Sequence, residues 1–504
     1  MSKPFHKFEQ GGHYILLDIC AGSVHVVDGL IYKMIGLMGA PPDGEVLPVS
    51  SADDTEAKSY SKLGCDSPGL LQYLIETFSD YPERDVKDCF GEIRRMVERG
   101  EFSGVDDYRD YADANVDAPL KAMCLHVSHD CNLRCGYCFA DGGGFGGERL
   151  TMTPDTAKNA VDFLIRSSGE RPNLEIDFFG GEPLMAWNTV KAAVEYAKEQ
   201  GQKHGKDFKF TITTNGLLLD DEKITYINNE MSNVVLSLDG RREVNDRLRK
   251  APSGKGCYDI ILPKFKKLID NRVREGKTDY FIRGTFTSLN LDFAGDVTAI
   301  ADEGFKNVSI EPVAVSPETP FALRPEHLPR ITEEYDRLFD IMREKDGEFN
   351  FFHFIIDLKK GPCILKRLRG CGAGNEYIAV APDGNIFPCH RFVGIDKWKM
   401  GNISIGVTDK SIKEYFSHTH IYAKETCPDC WARFYCGGGC NAESYIFEGD
   451  ARKPAGLSCE LMKKRIECAI ALVVDREMRE QNTLAPDATL SADSTRRSQT
   501  AEPL

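Results

Sequence analysis

The run Cys131-Asn132-Leu133-Arg134-Cys135-Gly136-Tyr137-Cys138 sets three thiols at CxxxCxxC spacing. Three thiolates so spaced can hold three irons of a 4Fe-4S cube and leave the fourth iron open to a second molecule. Clusters that only pass electrons are normally closed by four cysteines, so a three-cysteine loop points to a cluster that touches the chemistry itself. A zinc knuckle is the competing reading, and it needs a fourth ligand. His126, His129 and Asp130 lie close, but they stand at the end of a predicted strand, where such residues are ordinary.

A second constellation follows far downstream. Cys371, Gly384 and Cys389 stand as Cys-x12-Gly-x4-Cys, with Asn375 to Phe387 reading as a hairpin around Pro382-Asp383-Gly384-Asn385. Cys427, Cys430, Cys436 and Cys440 form CxxCx5CxxxC, and Cys459 comes after a gap. A zinc ribbon would explain the later pairs but leaves Cys371, Cys389 and the first loop without a role.

Alternating strands and helices must position these residues. Strands are predicted at Ala122 to Val127, Leu174 to Phe179, Phe208 to Thr213, Val234 to Leu238, Tyr280 to Thr287 and Asn307 to Val313, with helical stretches between, which favours a parallel sheet. Thr153-Pro154-Asp155 opens the first helix with a capping hydroxyl, a proline at the first helical position and an acid in the first turn. Polar and glycine signals cluster at the strand ends: Gly180-Gly181-Glu182-Pro183, Thr214-Asn215-Gly216 and Asp239-Gly240. The first turn lacks GxGxxG, which ranks a dinucleotide fold low.

Tyr137 completes the pattern CxxxCxΦC, and here the chain resembles the radical S-adenosylmethionine (SAM) enzymes, whose open iron chelates SAM. The resemblance implies a partial (β/α)6 barrel. Gly180, Gly181 and Glu182 resemble the motif that receives SAM's ammonium group, while Ser237 and Arg249 fall where peptide-modifying relatives hold the ribose hydroxyls and the carboxylate. Asn215 is a further, weaker SAM candidate beside Thr214, and Tyr137 belongs to the same set. The downstream cysteines resemble the SPASM extension with two auxiliary 4Fe-4S clusters. By that resemblance Cys427, Cys430, Cys436 and Cys459 close the outer cluster, and Cys371, Cys389 and Cys440 hold the inner one. Its fourth ligand is open between Cys363 and a substrate thiolate.

The region before the barrel reads as a separate unit: a hairpin from Tyr14 to Val27, a helix from Gly29 to Leu37, and amphipathic helices at Leu70 to Phe78 and Val86 to Glu98. It resembles the winged-helix-like element that binds leader peptides by strand addition. The expected divisions are residues 1–102 for this unit, 103–119 for a linker, 120–345 for the barrel, 346–477 for the SPASM domain and 478–504 for a disordered tail.

Composition narrows the partners. A chain of 504 residues with 41% apolar content can bury a sizeable core, and a net charge of −15 argues against phosphate-backbone binding. Met1 to His6 begins no charged-then-apolar signal, and no apolar run spans a bilayer, so a cytoplasmic setting is expected, with the seventeen cysteines read as ligands rather than disulfides. Cys20, Cys65, Cys89, Cys124, Cys257 and Cys468 fall outside the ligand patterns.

Taken whole, the chain resembles the peptide maturases that install thioethers in six-cysteine (SCIFF-type) precursors. That implies an enzyme with three 4Fe-4S clusters and SAM, fed by a donor such as flavodoxin or ferredoxin and acting on a cysteine-rich precursor peptide with a leader. Reductive SAM cleavage would yield a 5'-deoxyadenosyl radical that takes hydrogen from an acceptor carbon, to which a substrate cysteine sulfur then bonds. Three other readings stay open: a maturase of an enzyme subunit, of the amine dehydrogenase type that joins cysteine to Asp or Glu; a sulfatase-type maturase, against which His390-Arg391 stands where that family has aspartate; and a non-catalytic iron-sulfur peptide-binding protein.

Overall fold

The computed structural model describes residues 4–38, 65, 69–113, 117–359 and 364–484. Strands β1 (Phe5–Gln10), β2 (His13–Asp18) and β3 (Val24–Val27) pair antiparallel in that order, followed by helices α1 (Gly29–Met38), α2 (Leu70–Thr77) and α3 (Glu83–Glu98). Successive residues of a strand face opposite sides. Thus Leu16 and Phe5 pack with Leu30, Met34, Leu74 and Ile93 in a core of their own, while Ile15, Leu17 and Phe8 enter the main core. The hairpin and three helices match the expectation, and β1 is additional. Its two phenylalanines, three apart, face opposite sides, so the segment shows no apolar alternation.

The six expected strands form as β4 (Ala122–Ser128), β5 (Asn173–Gly180), β6 (Asp207–Thr214), β7 (Asn233–Ser237), β8 (Tyr280–Phe286) and β9 (Asn307–Pro312), parallel neighbours in chain order. Between and after them run α4 (Pro154–Ser167), α5 (Trp187–His204), α6 (Asp221–Glu230), α7 (Arg242–Leu248), α8 (Tyr258–Arg274), α9 (Phe293–Asp302) and α10 (Leu328–Glu344). Thr153 Oγ1 accepts from the Thr156 amide at 3.1 Å, capping α4 as its sequence requires. On β5 and β6, Leu174, Ile176, Phe178, Phe210 and Ile212 are buried in the core. The alternate positions Asp177, Thr211 and Thr213, with Asn233 and Ser237 of β7, line a cavity instead. Parallel strands buried on both faces are normally apolar throughout, so polar residues at alternate positions mark an interior built for something other than packing.

The sheet continues beyond the barrel. β10 (Asn350–Phe351) joins β9, and β11 (Tyr377–Val380) pairs parallel with β4, Tyr377 opposite Ala122 and Val380 opposite Leu125. The expected hairpin then forms as β11 and β12 (Asn385–Phe387), followed by β13 (Gly401–Asn402) and β14 (Gly406–Val407), giving eleven strands in one sheet. The backbone is therefore hydrogen-bonded across the 345/346 division.

Residues 103–113, expected as linker, lie against the C-terminal region: the Tyr422 hydroxyl donates to Asp106 at 2.6 Å and the Tyr108 ring meets Phe434 at 5.0 Å. The last helix runs from Gly456 to Leu484, so the 477/478 division falls inside it, while residues 485–504 lie outside the described chain. Among the described residues no helix is long and apolar enough to cross a membrane.

Candidate active site

The three-cysteine loop leaves the C-terminal end of β4 and is held by backbone from the far side of the barrel. The Arg134 amide donates to the Lys250 carbonyl at 2.7 Å and the Gly136 amide to the Leu248 carbonyl at 2.9 Å. Asp130 Oδ1 accepts from the Cys131 amide at 2.8 Å, and the Arg134 guanidinium bonds the Cys131 carbonyl. The Cys131, Cys135 and Cys138 thiols lie close enough for negative charge on one to raise the pKa of another. Burial, the larger cause, pushes Cys131 up to about 11 and Cys135 up to about 12, so without a bound cation both carry protons at neutral pH.

The glycine pair is dictated by close approach. Gly180 sits at φ 122°, and a Cβ there would overlap the Ser128 carbonyl; one on Gly181 would overlap the Asp130 carbonyl. The Gly181 and Glu182 amides donate to those same oxygens at 2.8 and 2.9 Å, tying the end of β5 to the entrance of the cysteine loop. Glu182 is buried and engaged by the chain: it accepts from Thr214 Oγ1 at 2.7 Å, from the Asn215 amide at 2.8 Å and from the Leu184 amide at 3.1 Å. It thus positions Asn215, whose Nδ2 reaches Asn132 Oδ1 at 2.8 Å and Cys131 Sγ at 3.6 Å.

Tyr137 turns inward, its hydroxyl 2.6 and 2.8 Å from the two oxygens of Asp239, while Arg249 Nη1 donates to that hydroxyl at 2.9 Å. Arg249 Nε is buried and has no hydrogen-bond partner among the described residues. Tyr137, Gly180, Gly181, Glu182, Asn215, Ser237 and Arg249 all border one cavity of about 530 Å³, together with the three loop cysteines. Its further wall carries Arg283, Glu311, His390, Arg391 and Glu443.

The sequence reading missed Glu311 and Asp239 as site residues. Glu311 accepts from Ser309 Oγ at 2.8 Å and pairs with His353 Nε2 at 2.9 Å; His353 in turn meets the Tyr335 hydroxyl at 3.3 Å, which accepts from Arg465 at 2.8 Å. Burial raises the Glu311 pKa, but His353 and Arg283 outweigh it and hold the carboxyl well below the usual range. Its strand position, one residue before Pro312, was the only available sign. Asp177 is the opposite case: burial lifts it to about 6. His390 is packed against Phe179 and Phe139, its Nδ1 3.5 Å from the Tyr377 hydroxyl, and burial holds it neutral, down at about 3.

The downstream thiols gather in two sets. Burial raises the Cys427, Cys371 and Cys389 thiols most; charge on Cys430, Cys436 and Cys459 adds to this at Cys427, and charge on Cys440 adds to it at Cys371 and Cys389. Arg391, next to Cys389, lies 3.8 Å from Cys440 Sγ and 3.2 Å from Glu443, so the second set borders the cavity wall. Cys363 lies outside the described residues. Among the described residues no three His, Cys, Asp or Glu side chains close to single-ion distance. Each thiolate of a cube binds a different iron, so cysteines gathered around a space suit a cluster. The loop therefore fits a three-thiolate cluster: three clustered, half-buried thiols on a pinned backbone, bordering the same cavity as Arg249.

The Radical SAM superfamily model matches residues 125–285, which runs from β4 to β8. An uncharacterized protein of Methanocaldococcus jannaschii is 32% identical over 290 residues, covering 56% of this chain and 89% of that protein. The chain belongs to the radical SAM superfamily. Relatives of this radical SAM chain include peptide and sulfatase maturases. The mycofactocin maturase MftC of Mycolicibacterium smegmatis is 25% identical over 347 residues, 66% of this chain and 81% of its own. A cysteine-type anaerobic sulfatase-maturating enzyme of Clostridium novyi is 23% identical over 345 residues, 64% and 87% respectively. The solved structure of anSMEcpe with bound AdoMet and Kp18Cys peptide superposes with a TM-score of 0.57 at 22% identity, covering 71% of this chain and all of that one, which establishes the fold.

Proposed function

We propose that this chain is a maturase that forms a cysteine thioether in a ribosomally made, cysteine-rich peptide. The observation that carries the reading is the cavity: one space of about 530 Å³ is bordered both by the three loop thiols and by His390, Arg391 and Glu443, which lie beside Cys389 and Cys440. A peptide held there would lie between a SAM-cleaving cluster and an auxiliary one.

Cys131, Cys135 and Cys138 would hold the SAM-binding cluster, which with SAM supplies the radical that removes hydrogen from the acceptor carbon. Arg249 and Ser237 would bind SAM's carboxylate and ribose, with Gly180 and Gly181 presenting backbone to its ammonium group. Forming the sulfur–carbon bond would release the thiol proton and one electron; Cys427, Cys430, Cys436 and Cys459 would hold one cluster able to take up that electron, and Cys371, Cys389 and Cys440 another. Cys363 or a substrate thiolate would complete the latter. The unit formed by β1 to α3 would bind a leader, for which the outer strands β1 and β3 offer sheet edges. A flavodoxin or ferredoxin would deliver the initiating electron.

The sulfatase-type reading has named relatives on its side, yet the position after Cys389 holds a neutral, buried histidine rather than a carboxylate. Anaerobic reconstitution with SAM, reductant and a cysteine-rich candidate peptide decides between them. A thioether maturase removes about two mass units per crosslink, and the product resists thiol alkylation. Formation of 5'-deoxyadenosine with unchanged peptide mass would sink the substrate assignment; absence of both with clusters loaded would sink the catalytic reading.

A further inference from the structure

Lys424 is a lysine in an unusual place. It is 1% exposed, and among the described residues no carboxylate forms an ion pair with it. Its Nζ donates to the Gly438 carbonyl at 2.6 Å and to Asn441 Oδ1 at 2.9 Å, and Asn441 is itself fixed by a 3.1 Å bond to Thr419 Oγ1. Gly438 is the centre of Cys436-Gly437-Gly438-Gly439-Cys440, the segment that joins the two downstream thiol sets. Burial pulls the Lys424 pKa down, and the charges that oppose it come from thiols of both sets: Cys427, Cys436 and Cys459 of one and Cys440 of the other. Burying an ammonium without a counter-charge is unfavourable, so the site is balanced only when those sulfurs are anionic.

Resting on the two-cluster reading above, we propose that Lys424 is the shared counter-ion of both auxiliary clusters and sets their reduction potentials. A thiolate-bound cube is negative, and reduction adds one more negative charge. A fixed positive charge in a dry setting therefore stabilises the reduced form more than the oxidised one and raises the potential of each cluster it touches. Both auxiliary clusters would become better acceptors for the surplus electron, while Cys131, Cys135 and Cys138 are not among the thiols whose charge acts most on Lys424. Lys424 acts as a positioning and tuning residue, touching neither SAM nor peptide.

The test needs no substrate. Wild type, Lys424→Gln and Lys424→Arg are reconstituted anaerobically, assayed for iron and sulfide, and titrated by EPR against potential. In Lys424→Gln, which keeps a donor for Gly438 and loses the charge, the auxiliary signals move to more negative potential while the signal that responds to added SAM stays in place; Lys424→Arg stays near wild type. Loss of auxiliary iron in Lys424→Gln but not in Lys424→Arg also supports the counter-ion role. Unshifted auxiliary potentials in a fully loaded Lys424→Gln, or equal iron loss in both variants, overturns it and leaves Lys424 a packing role. Wild-type protein that binds only about four irons per chain instead of about twelve sinks the two-cluster reading itself, and the proposal with it.

Discussion

The two cysteine regions reach the same kind of arrangement by opposite routes. Cys131, Cys135 and Cys138 come from one short loop, and distant backbone at Leu248 and Lys250 serves only to pin it. The downstream sets are collected from Cys371 to Cys459, across a hairpin, short helices and the start of the last helix, and a buried lysine bonds the segment between them. The first region shows that three ligands close in sequence make a site whose geometry is local. The second shows thiols gathered from several elements far apart in the chain, so their placement depends on how those elements pack.

Breaking the local route should have the largest effect. Cys135→Ala removes one of three thiolates from a loop with no spare cysteine, and reductive SAM cleavage should fall by at least about a thousandfold, measured as 5'-deoxyadenosine, while about two-thirds of the iron stays bound downstream. Equal iron loss from both regions would show that they assemble as one unit.

Gly181→Ala tests how firmly the loop entrance is set. Its Cβ would overlap the Asp130 carbonyl, which belongs to backbone and cannot swing away, so a loss of about 3 kcal/mol or more in denaturant unfolding is expected. Gly439→Ala in the downstream segment meets nothing within 4 Å, although its φ of 73° adds strain, so its loss should be about 1 kcal/mol. Similar losses at both sites would dissolve the contrast.

Asp177 gives a pH signature for the cavity. Burial raises its folded pKa to about 6, above the unfolded value, so its protonated form contributes stability that is fully present below about pH 4 and lost as pH rises through about 6. Asp177→Asn should therefore be more stable than wild type at pH 7 by up to about 3 kcal/mol, with the gap closing as pH falls to 4; a gap independent of pH would mean the carboxyl is already screened by water. Tyr137→Phe should cost somewhat less, about 1–3 kcal/mol, because Asp239 loses the hydroxyl that bonds both its oxygens, and urea unfolding reads it directly.

Much of the barrel was legible. Strands β4 to β9 each carry apolar residues, alternating with polar ones in β5 and β6, and the glycine pair at 180–181 sits where a Cβ would strike backbone, so composition and geometry agree. Strand β1 was not legible, because Phe5 and Phe8 serve two different cores. The contacts of Asp106 with Tyr422 and of Tyr108 with Phe434 were not legible, because the partners lie some three hundred residues further along the chain. Lys424, in a plain Ala-Lys-Glu-Thr stretch, carried no signal at all.

What the sequence determined by itself was the chemistry within one loop and the order of strands and helices, since spacing, capping and hydrophobic period act over a few residues. Only the tertiary structure decided that β11 lies beside β4 and that Glu311 and His390 face the same cavity as the first loop. Those contacts join residues a hundred or more positions apart, and no local pattern records which distant element a side chain will meet once the chain has closed.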